Sequence, residues 1–314
     1  MTLDSVKALI LAAGYGTRLQ PLTDTLPKAL VPLVGKPLIR HTLTGLLQTG
    51  ISSIGINTHH HAARMQKYLA EQNDCSLHVS HEPRILGSAG GIGGFRDFIG
   101  NDAFFLTLNA DSISNINPAS YLPDFLRHSP LVMMLLHDCP GYNNVCINSA
   151  GEIIDLRDTL QAADTSARLA YTGTAFMSRA FLDLIPPGKS ELIPLLLKLI
   201  TTQPGSVRAA IVHNAAWRDI GTPKSYIQAH HEIMLEHLPL IVECDIPEKN
   251  LLIGEGSHIA EDCSVDGFVA LGKGCRVETG CSLRDCVVWD RTTIQAGSNL
   301  TNSIAGPGFL INVE

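Results

Sequence analysis

The sequence has little of what a polyanion-binding or membrane-spanning protein displays. Its 23 lysines and arginines are outnumbered by 30 acidic residues, for a net charge of −7, and no basic run or basic stripe interleaved with aromatics occurs. A nucleic-acid surface is therefore not expected, and the phosphates of any ligand must be met by a few placed cations. No apolar run approaches the roughly 18 residues of a membrane-spanning helix, so no membrane partner is expected. The N-terminus lacks the charged, apolar, small-residue order of a secretory signal, and the expected compartment is the cytoplasm. Eight cysteines are present, at 75, 139, 146, 244, 263, 275, 281 and 286, yet none forms C-x-x-C. Free thiols are expected in place of a zinc site or a disulfide framework. Aromatics make up only 5% of the 314 residues and charges 17%, against 45% hydrophobic residues, the balance of a well-packed chain long enough for two domains.

What the chain does have begins at Val6 to Leu11, an apolar run of strand type that breaks into Ala12-Ala13-Gly14-Tyr15-Gly16-Thr17. Small residues let the backbone turn sharply and lie close to a ligand, and free N–H groups in such a loop form a concavity for anions. Arg18 follows at once and Lys28 ten residues later, a fork-shaped cation and a point cation tethered to one loop. Two familiar glycine loops are excluded. Position 19 is Leu, which breaks G-x-G-x-x-G, and Gly35-Lys36 is followed by Pro37, which breaks the P-loop pattern.

Downstream, a helical pattern from Pro37 to Gly50 precedes a strand at 52–57, a helix at 62–71 and a strand at 77–80. Alternation of this kind predicts crossover units and a parallel sheet, with ligands beyond the carboxyl ends of the strands. Further strands are expected at 103–108, 131–137, 145–148 and 171–177, a helix at 190–200, and a last helix opened by Thr222-Pro223. His59-His60-His61 is read as a solvated strand-to-helix loop because adjacent side chains diverge. His230-His231 is read as an ordinary helix face.

The pattern Gly14-x-Gly16-Thr17-Arg18-x-x-Pro21-x-Thr23, with Pro27-Lys28 behind it, resembles the signature of the sugar-1-phosphate nucleotidylyltransferases, or NDP-sugar pyrophosphorylases. Glu82 to Gly91, with Leu86-Gly87-Ser88-Ala89-Gly90, is similar to that family's element beside the nucleotide base. Asn109-Ala110-Asp111 and Trp217-Arg218-Asp219-Ile220-Gly221-Thr222-Pro223 resemble the two elements that supply its metal carboxylates. Tyr171 to Met177 looks like the strand lining the sugar site. One element departs: where many relatives carry Glu-Lys-Pro, this chain has Arg157-Asp158-Thr159-Leu160 after Gly151 to Leu156, and Asp158 and Arg157 are read as stand-ins for Glu and Lys.

The resemblance implies transfer of a nucleoside monophosphate from an NTP, with GTP or UTP favoured, to a mannose-, heptose- or amino-sugar 1-phosphate. It implies catalytic roles for Arg18, Lys28 and Asp111, and Mg²⁺ held by Asp111 and Asp219. Nucleotide contacts fall on Ala13, Gly14, Gly16, Thr17, Arg18, Lys28, Glu82 and Gly87, and sugar-phosphate contacts on Asn144, Arg157, Asp158, Thr172 and Gly173. The core looks closest to N-acetylmuramate-1-phosphate uridylyltransferases and mannose-1-phosphate guanylyltransferases.

From Ile253 onward, bulky aliphatic residues recur every six positions through Ile259, Val265, Leu271, Val277 and Leu283, and after a one-residue slip at Val288, Ile294 and Leu300. This is a hexapeptide period, the signature of a parallel β-helix. Cys263, Cys275 and Cys281 fall at one phase of the period and are expected to point inward as small core residues.

The expected fold is α/β: a Rossmann-like, mostly parallel sheet flanked by helices over 1–238, then a short left-handed parallel β-helix over 239–314. So short a solenoid has exposed ends, and a homo-oligomer is expected. Two other readings stay open at this stage: a bifunctional enzyme with an acyltransferase β-helix, and a non-catalytic regulatory paralogue that binds a nucleotide sugar.

Overall fold

Ala8–Leu11 carries no polar side chain and is buried through its first three residues, the mark of a strand covered on both faces. In the computed structural model, which describes residues 3–241 and 250–313, it lies inside a nine-stranded sheet. Cys244 falls outside the described residues; the other seven cysteines are free thiols. In chain order the strands are β1 (Ala8–Leu11), β2 (Ser53–Thr58), β3 (Ser76–His81), β4 (Phe104–Asn109), β5 (Val132–His137), β6 (Val145–Ile147), β7 (Ile153–Leu156), β8 (Ala167–Ser178) and β9 (Val207–Val212). Their spatial order is β7-β6-β8-β4-β1-β2-β3, with β5 also on β8 and β9 on β5.

The sheet is mixed, which corrects the expectation of a mostly parallel one. The pairs β1–β2, β1–β4, β2–β3 and β5–β9 are parallel. Every pair made by β8, and the pair β6–β7, is antiparallel. The cause lies in the connections. Helices α1 (Leu38–Gln48), α2 (Ala62–Ala70) and α3 (Gly87–Gly93) intervene between the parallel strands β1, β2, β3 and β4, whereas a short loop joins β6 to β7, and only antiparallel strands can be joined so tightly. Helix α4 (Leu192–Thr202) then packs Leu196 and Leu199 into a core shared with Leu9, Ile92, Phe95, Phe105, Val132 and Phe181.

The chain forms two compact units, each discontinuous in sequence: Met1–Tyr15 with Gly45–Ser112 and Ile116–Trp217, and Gly16–Thr44 with Ile113–Asn115 and Arg218–Glu314. The nine-stranded sheet belongs to the first. The second contains the phosphate-loop segment from Gly16, helix α5 (Pro223–Met234) and the C-terminal strands.

Those strands are β10 (Leu251–Ile253), β11 (His258–Ile259), β12 (Ser264–Leu271), β13 (Arg276–Val277), β14 (Ser282–Val288), β15 (Thr293–Ile294), β16 (Asn299–Gly306) and β17 (Phe309–Asn312). The sheets β10-β12-β14-β16 and β11-β13-β15 are parallel throughout, and β17 closes the first by pairing antiparallel with β16. Leu251 pairs with Val269, Val269 with Cys286 and Cys286 with Ser303, so the chain returns to the same place after 18 residues and then after 17. The first of the two 17-residue returns holds the one-residue slip seen in the hexad pattern. Cys275 and Cys281 are each 2% exposed inside the core of this layer, as expected of the inward phase. Their thiols donate to the carbonyls of Trp289 and Gln295, each at 3.1 Å.

Helix α5 starts as the sequence predicts: Thr222 is the N-cap, Pro223 occupies the first turn, and Thr222 and Ser225 form a reciprocal capping box. The helix packs on β12, β14 and β16. His230 is no ordinary face residue. It is fully buried, its Nε2 accepts the Val34 amide at 3.1 Å, and its Nδ1 pairs with the Tyr226 carbonyl at 3.0 Å.

Candidate functional site

In the first unit the phosphate loop leaves β1 through a side chain the sequence reading missed. Asn57, at the carboxyl end of β2 and 4% exposed, accepts the Ala12 amide on Oδ1 at 2.7 Å. Its Nδ2 donates to Glu82 Oε1, also at 2.7 Å. Glu82 is 2% exposed, and its other oxygen accepts the Leu86 amide at 2.8 Å at the entry to α3. Both carboxylate oxygens thus serve the protein's own backbone and Asn57. Gly91 is required beside them, since a Cβ there would lie 2.6 Å from Asn57 Nδ2 and 3.0 Å from Glu82 Oε1. The available signals were the polar residue ending an apolar strand and the paired Gly90-Gly91.

Ala13 is buried and Gly14 exposed, and the space a Cβ on Gly14 would enter is open to 4 Å. Backbone at that point is accessible to a ligand. Tyr15 bonds His59 Nε2 at 3.1 Å, while His59 Nδ1 pairs with the Glu82 carbonyl at 2.8 Å. The histidine loop is therefore tied to the phosphate loop and is more than a solvated connection. Gly87 abuts Ser190 and Glu191: Glu191 Oε2 accepts from the Ser88 hydroxyl at 2.9 Å, and a Cβ at 87 would lie 2.6 Å from the Ser190 carbonyl.

Thr172 and Gly173 sit in an irregularity of β8. Tyr171 pairs with Leu136 and Ala175 with Met134, so residues 172–174 bulge against Leu135. Thr172 Oγ1 donates to the Leu135 carbonyl at 2.9 Å, and the Thr172 carbonyl accepts Trp217 Nε1 at 2.7 Å. Gly173 has φ 85° and faces Asn109, whose Cβ would be 3.0 Å from an added Cβ. The bulge turns backbone out of the ladder at the end of β4, two residues before Asp111.

Arg157 and Asp158 are exposed, with φ 58° and 55°, an uncommon left-handed pair for non-glycine residues. The Arg157 amide donates to the Asn144 carbonyl at 2.7 Å, which brings together two of the three sequence-predicted residues of this loop. Asp155 organises the turn from below, accepting the Leu160 amide at 3.0 Å and the Ala162 amide at 3.4 Å. Burial raises the pKa of Asp155, but the surrounding amides outweigh it and hold the carboxyl below its ordinary value. Asp158 forms an ion pair with Arg168. Cys146, Asp155 and Asp158 place possible ligand atoms within 4.8 Å of one another. The arginine partner and the amides account for both carboxylates, so this cluster is a turn-stabilising one.

In the second unit, Gly16 has φ 66° and packs under Lys28: an added Cβ would lie 2.9 Å from Thr23 Cγ2 and 3.2 Å from Lys28 Cβ. Thr23 Oγ1 donates to the Gly16 carbonyl at 2.9 Å, closing the loop. Thr17–Leu19 forms one 3₁₀ turn that leaves Arg18 exposed. Asp219 Oδ1 and Arg18 Nη2 both crowd the position a Gly221 Cβ would take, the arginine at 3.2 Å. Lys28 is thus held against Gly16, and Arg18 and Asp219, 201 positions apart in sequence, meet at Gly221.

Residues 7–236 match the family model described as nucleotidyl transferase, and residues 247–312 match the GMPPB C-terminal domain. The chain belongs to the nucleotidyl transferase family. It is 29% identical to a probable mannose-1-phosphate guanylyltransferase 3 of Oryza sativa, over 96% of this chain and 86% of that one. It is also 27% identical to a glucose-1-phosphate thymidylyltransferase of Streptomyces griseus, over 96% of this chain and 81% of that one. Among solved structures, HddC from Yersinia pseudotuberculosis complexed with GMP-PN superposes with a TM-score of 0.60 at 21% identity, covering 71% of this nucleotidyl transferase and 97% of that chain. That likeness concerns the fold. No helix among the described residues is long and apolar enough to cross a membrane.

Proposed function

We propose that this nucleotidyl transferase joins a nucleoside monophosphate to a sugar 1-phosphate. The donor is GTP or UTP, and the acceptor a mannose-, heptose- or amino-sugar 1-phosphate. The observation that carries the reading is the gathering of Lys28 against Gly16 and of Arg18 with Asp219 against Gly221. A glycine cradle with two cations of different geometry and a carboxylate is what an anionic triphosphate and its counter-ion need. Relatives named mannose-1-phosphate guanylyltransferase support GTP with mannose 1-phosphate as the first pair to try.

On this reading a phosphate oxygen of the sugar 1-phosphate attacks the α-phosphorus of the NTP. The new O–P bond forms as the α-phosphorus bond to the bridging oxygen breaks, and pyrophosphate leaves with the electron pair. Such transfer asks the protein for positioning and charge neutralisation more than for covalent help. Backbone N–H groups of Ala13, Gly14, Gly16 and Thr17 cradle the phosphates, Arg18 steadies the departing pyrophosphate, and Lys28 meets the α-phosphate. Glu82 and Gly87 act at the base side, Glu82 by holding Asn57 and the entry to α3. Asn144, Arg157, Asp158, Thr172 and Gly173 take the sugar phosphate. Asp111 and Asp219 are half-exposed carboxylates whose hard oxygens suit Mg²⁺, which when bound would neutralise phosphate charge.

The same reading divides the chain functionally into a catalytic part, 1–238, and a left-handed hexapeptide β-helix, 239–314. Returns of 18 and 17 residues, three hexads with one deletion, support the β-helix. Exposed Ile253 and Leu310 support assembly of a cytoplasmic homo-oligomer through this part.

The test is pyrophosphate release by the purified protein with Mg²⁺, crossing ATP, CTP, GTP, UTP and dTTP with glucose, mannose, N-acetylglucosamine, N-acetylmuramate and heptose 1-phosphates. One active pair with GTP or UTP is expected. Silence across the grid with nucleotide still bound would replace this reading with a regulatory one.

A further inference from the structure

We infer that the C-terminal strands position Lys28 through a hydrogen-bonded hairpin clamp, and that Trp289 and Tyr226 are the positioning residues. The inference rests on the reading of Lys28 as a phosphate ligand.

Lys28 opens a 3₁₀ turn closed by the Val31 amide on the Lys28 carbonyl at 3.1 Å, and the chain runs straight into a hairpin pairing Pro32–Leu33 with Lys36–Pro37. The hairpin tip is Val34-Gly35, with φ 42° and 81°. A β-branched residue in the left-handed region is strained and persists only where its surroundings over-determine it. Here they do. The Val34 amide donates to His230 Nε2 at 3.1 Å, and the Leu33 carbonyl pairs with His41 Nε2 at 3.0 Å. The Pro32 carbonyl accepts the Tyr226 hydroxyl, which in turn accepts Trp289 Nε1 at 3.1 Å.

Three of the groups that fix the hairpin come from the C-terminal strands or their turns. Trp289, directly after β14, supplies the indole donor. Phe268 of β12 stacks on His230 at 6.1 Å between centroids. Leu252 of β10 lies 3.2 Å from where a Gly35 Cβ would be, so the tip is seated on it. The bonded path Trp289 to Tyr226 to Pro32 ends four residues from Lys28, whose Cβ lies against Gly16. A donor lost at Trp289 is therefore felt in the turn that aims the ammonium group. Tyr226 and Trp289 are respectively 0% and 6% exposed and do not themselves reach solvent as ligands would.

The test uses the full chain carrying Tyr226→Phe, which removes only the hydroxyl, and Trp289→Phe as the second variant, which keeps a smaller ring against Phe309 and removes the N–H donor together with part of the indole. Hydrogen exchange of the 28–37 amides and kcat and KM for GTP with mannose 1-phosphate are measured in the wild-type and Lys28→Ala backgrounds. In the wild-type background, exchange at Val31 and Val34 should quicken, and kcat/KM should fall about fivefold, the equivalent of one neutral hydrogen bond. In the Lys28→Ala background exchange should still quicken with no further fall in kcat/KM. Unchanged exchange in both variants, or the same fold-loss of kcat/KM in both backgrounds, would overturn the inference. Wild-type turnover by Lys28→Ala alone would overturn the assignment of Lys28 and this inference with it, and the exchange data tell that failure apart from an absent clamp.

Discussion

Asn57 donates to Glu82 Oε1 at 2.7 Å, and the pair joins the phosphate loop to the entry of α3. Each partner is almost wholly enclosed, so truncation of either leaves a buried polar atom without its bond. Asn57→Ala should lower stability by about 1–3 kcal/mol, the cost of stranding a buried donor or acceptor. Denaturant unfolding measures it. Nucleotide affinity should fall in the same variant, because the Ala12 amide loses its anchor just before Gly14. Unaltered unfolding midpoint and affinity would remove Asn57 from the site.

Asp111→Asn and Asp219→Asn keep shape and remove charge. Each should lower kcat by roughly 10²–10³, the range seen when one preorganised electrostatic group is lost. Mn²⁺ binding followed by electron paramagnetic resonance gives a readout independent of turnover, and both variants should bind more weakly. Near wild-type turnover with unchanged Mn²⁺ binding would reject the assignment.

Gly173→Ala puts a side chain at φ 85° with Asn109 Cβ 3.0 Å away. Backbone strain of this kind costs on the order of 1–3 kcal/mol. The bulge would relax toward the ladder, and KM for the sugar 1-phosphate should rise more than KM for the NTP. Equal changes in both constants would mean the bulge serves the fold alone.

Much of this was legible from residue order because it rests on local rules. The strand before Gly14, the Thr222-Pro223 helix start and the six-residue period through Leu271, Val277 and Leu283 each follow from side chains within one turn or strand of one another. The direction of β8 was not legible, since nothing in Ala167 to Ser178 records which neighbour it will join or which way it will run. Asn57 and His230 were misjudged or missed for a related reason. A polar residue in an apolar stretch has the same local pattern whether it faces water or a buried partner, and the partners, Ala12 and Glu82 for one, Val34 and Tyr226 for the other, are far away in sequence. The cysteines at 275 and 281 were readable because a repeat writes its own long-range contacts into the period.

His230 gives the protein a defined sensitivity to acid. Burial lowers its pKa to about 4, the Tyr226 carbonyl works against that shift, and His41 adds to it. The neutral ring has one consistent arrangement: Nδ1–H donates to Tyr226, and Nε2 accepts from Val34. Protonation would put a hydrogen where the Val34 amide points. Because the folded value lies below the unfolded value of about 6.5, the unfolded chain binds the proton first as pH falls. The stabilising effect is complete above about pH 6.5 and is lost progressively toward pH 4, for a total on the order of 3 kcal/mol. Urea unfolding midpoints between pH 7.5 and 4.5 should fall for the wild type. His230→Gln, whose side-chain oxygen can still accept the Val34 amide but does not titrate, should show a flatter profile. Parallel profiles would mean that other groups set the acid response and that His230 takes up its proton equally in the folded and the unfolded chain.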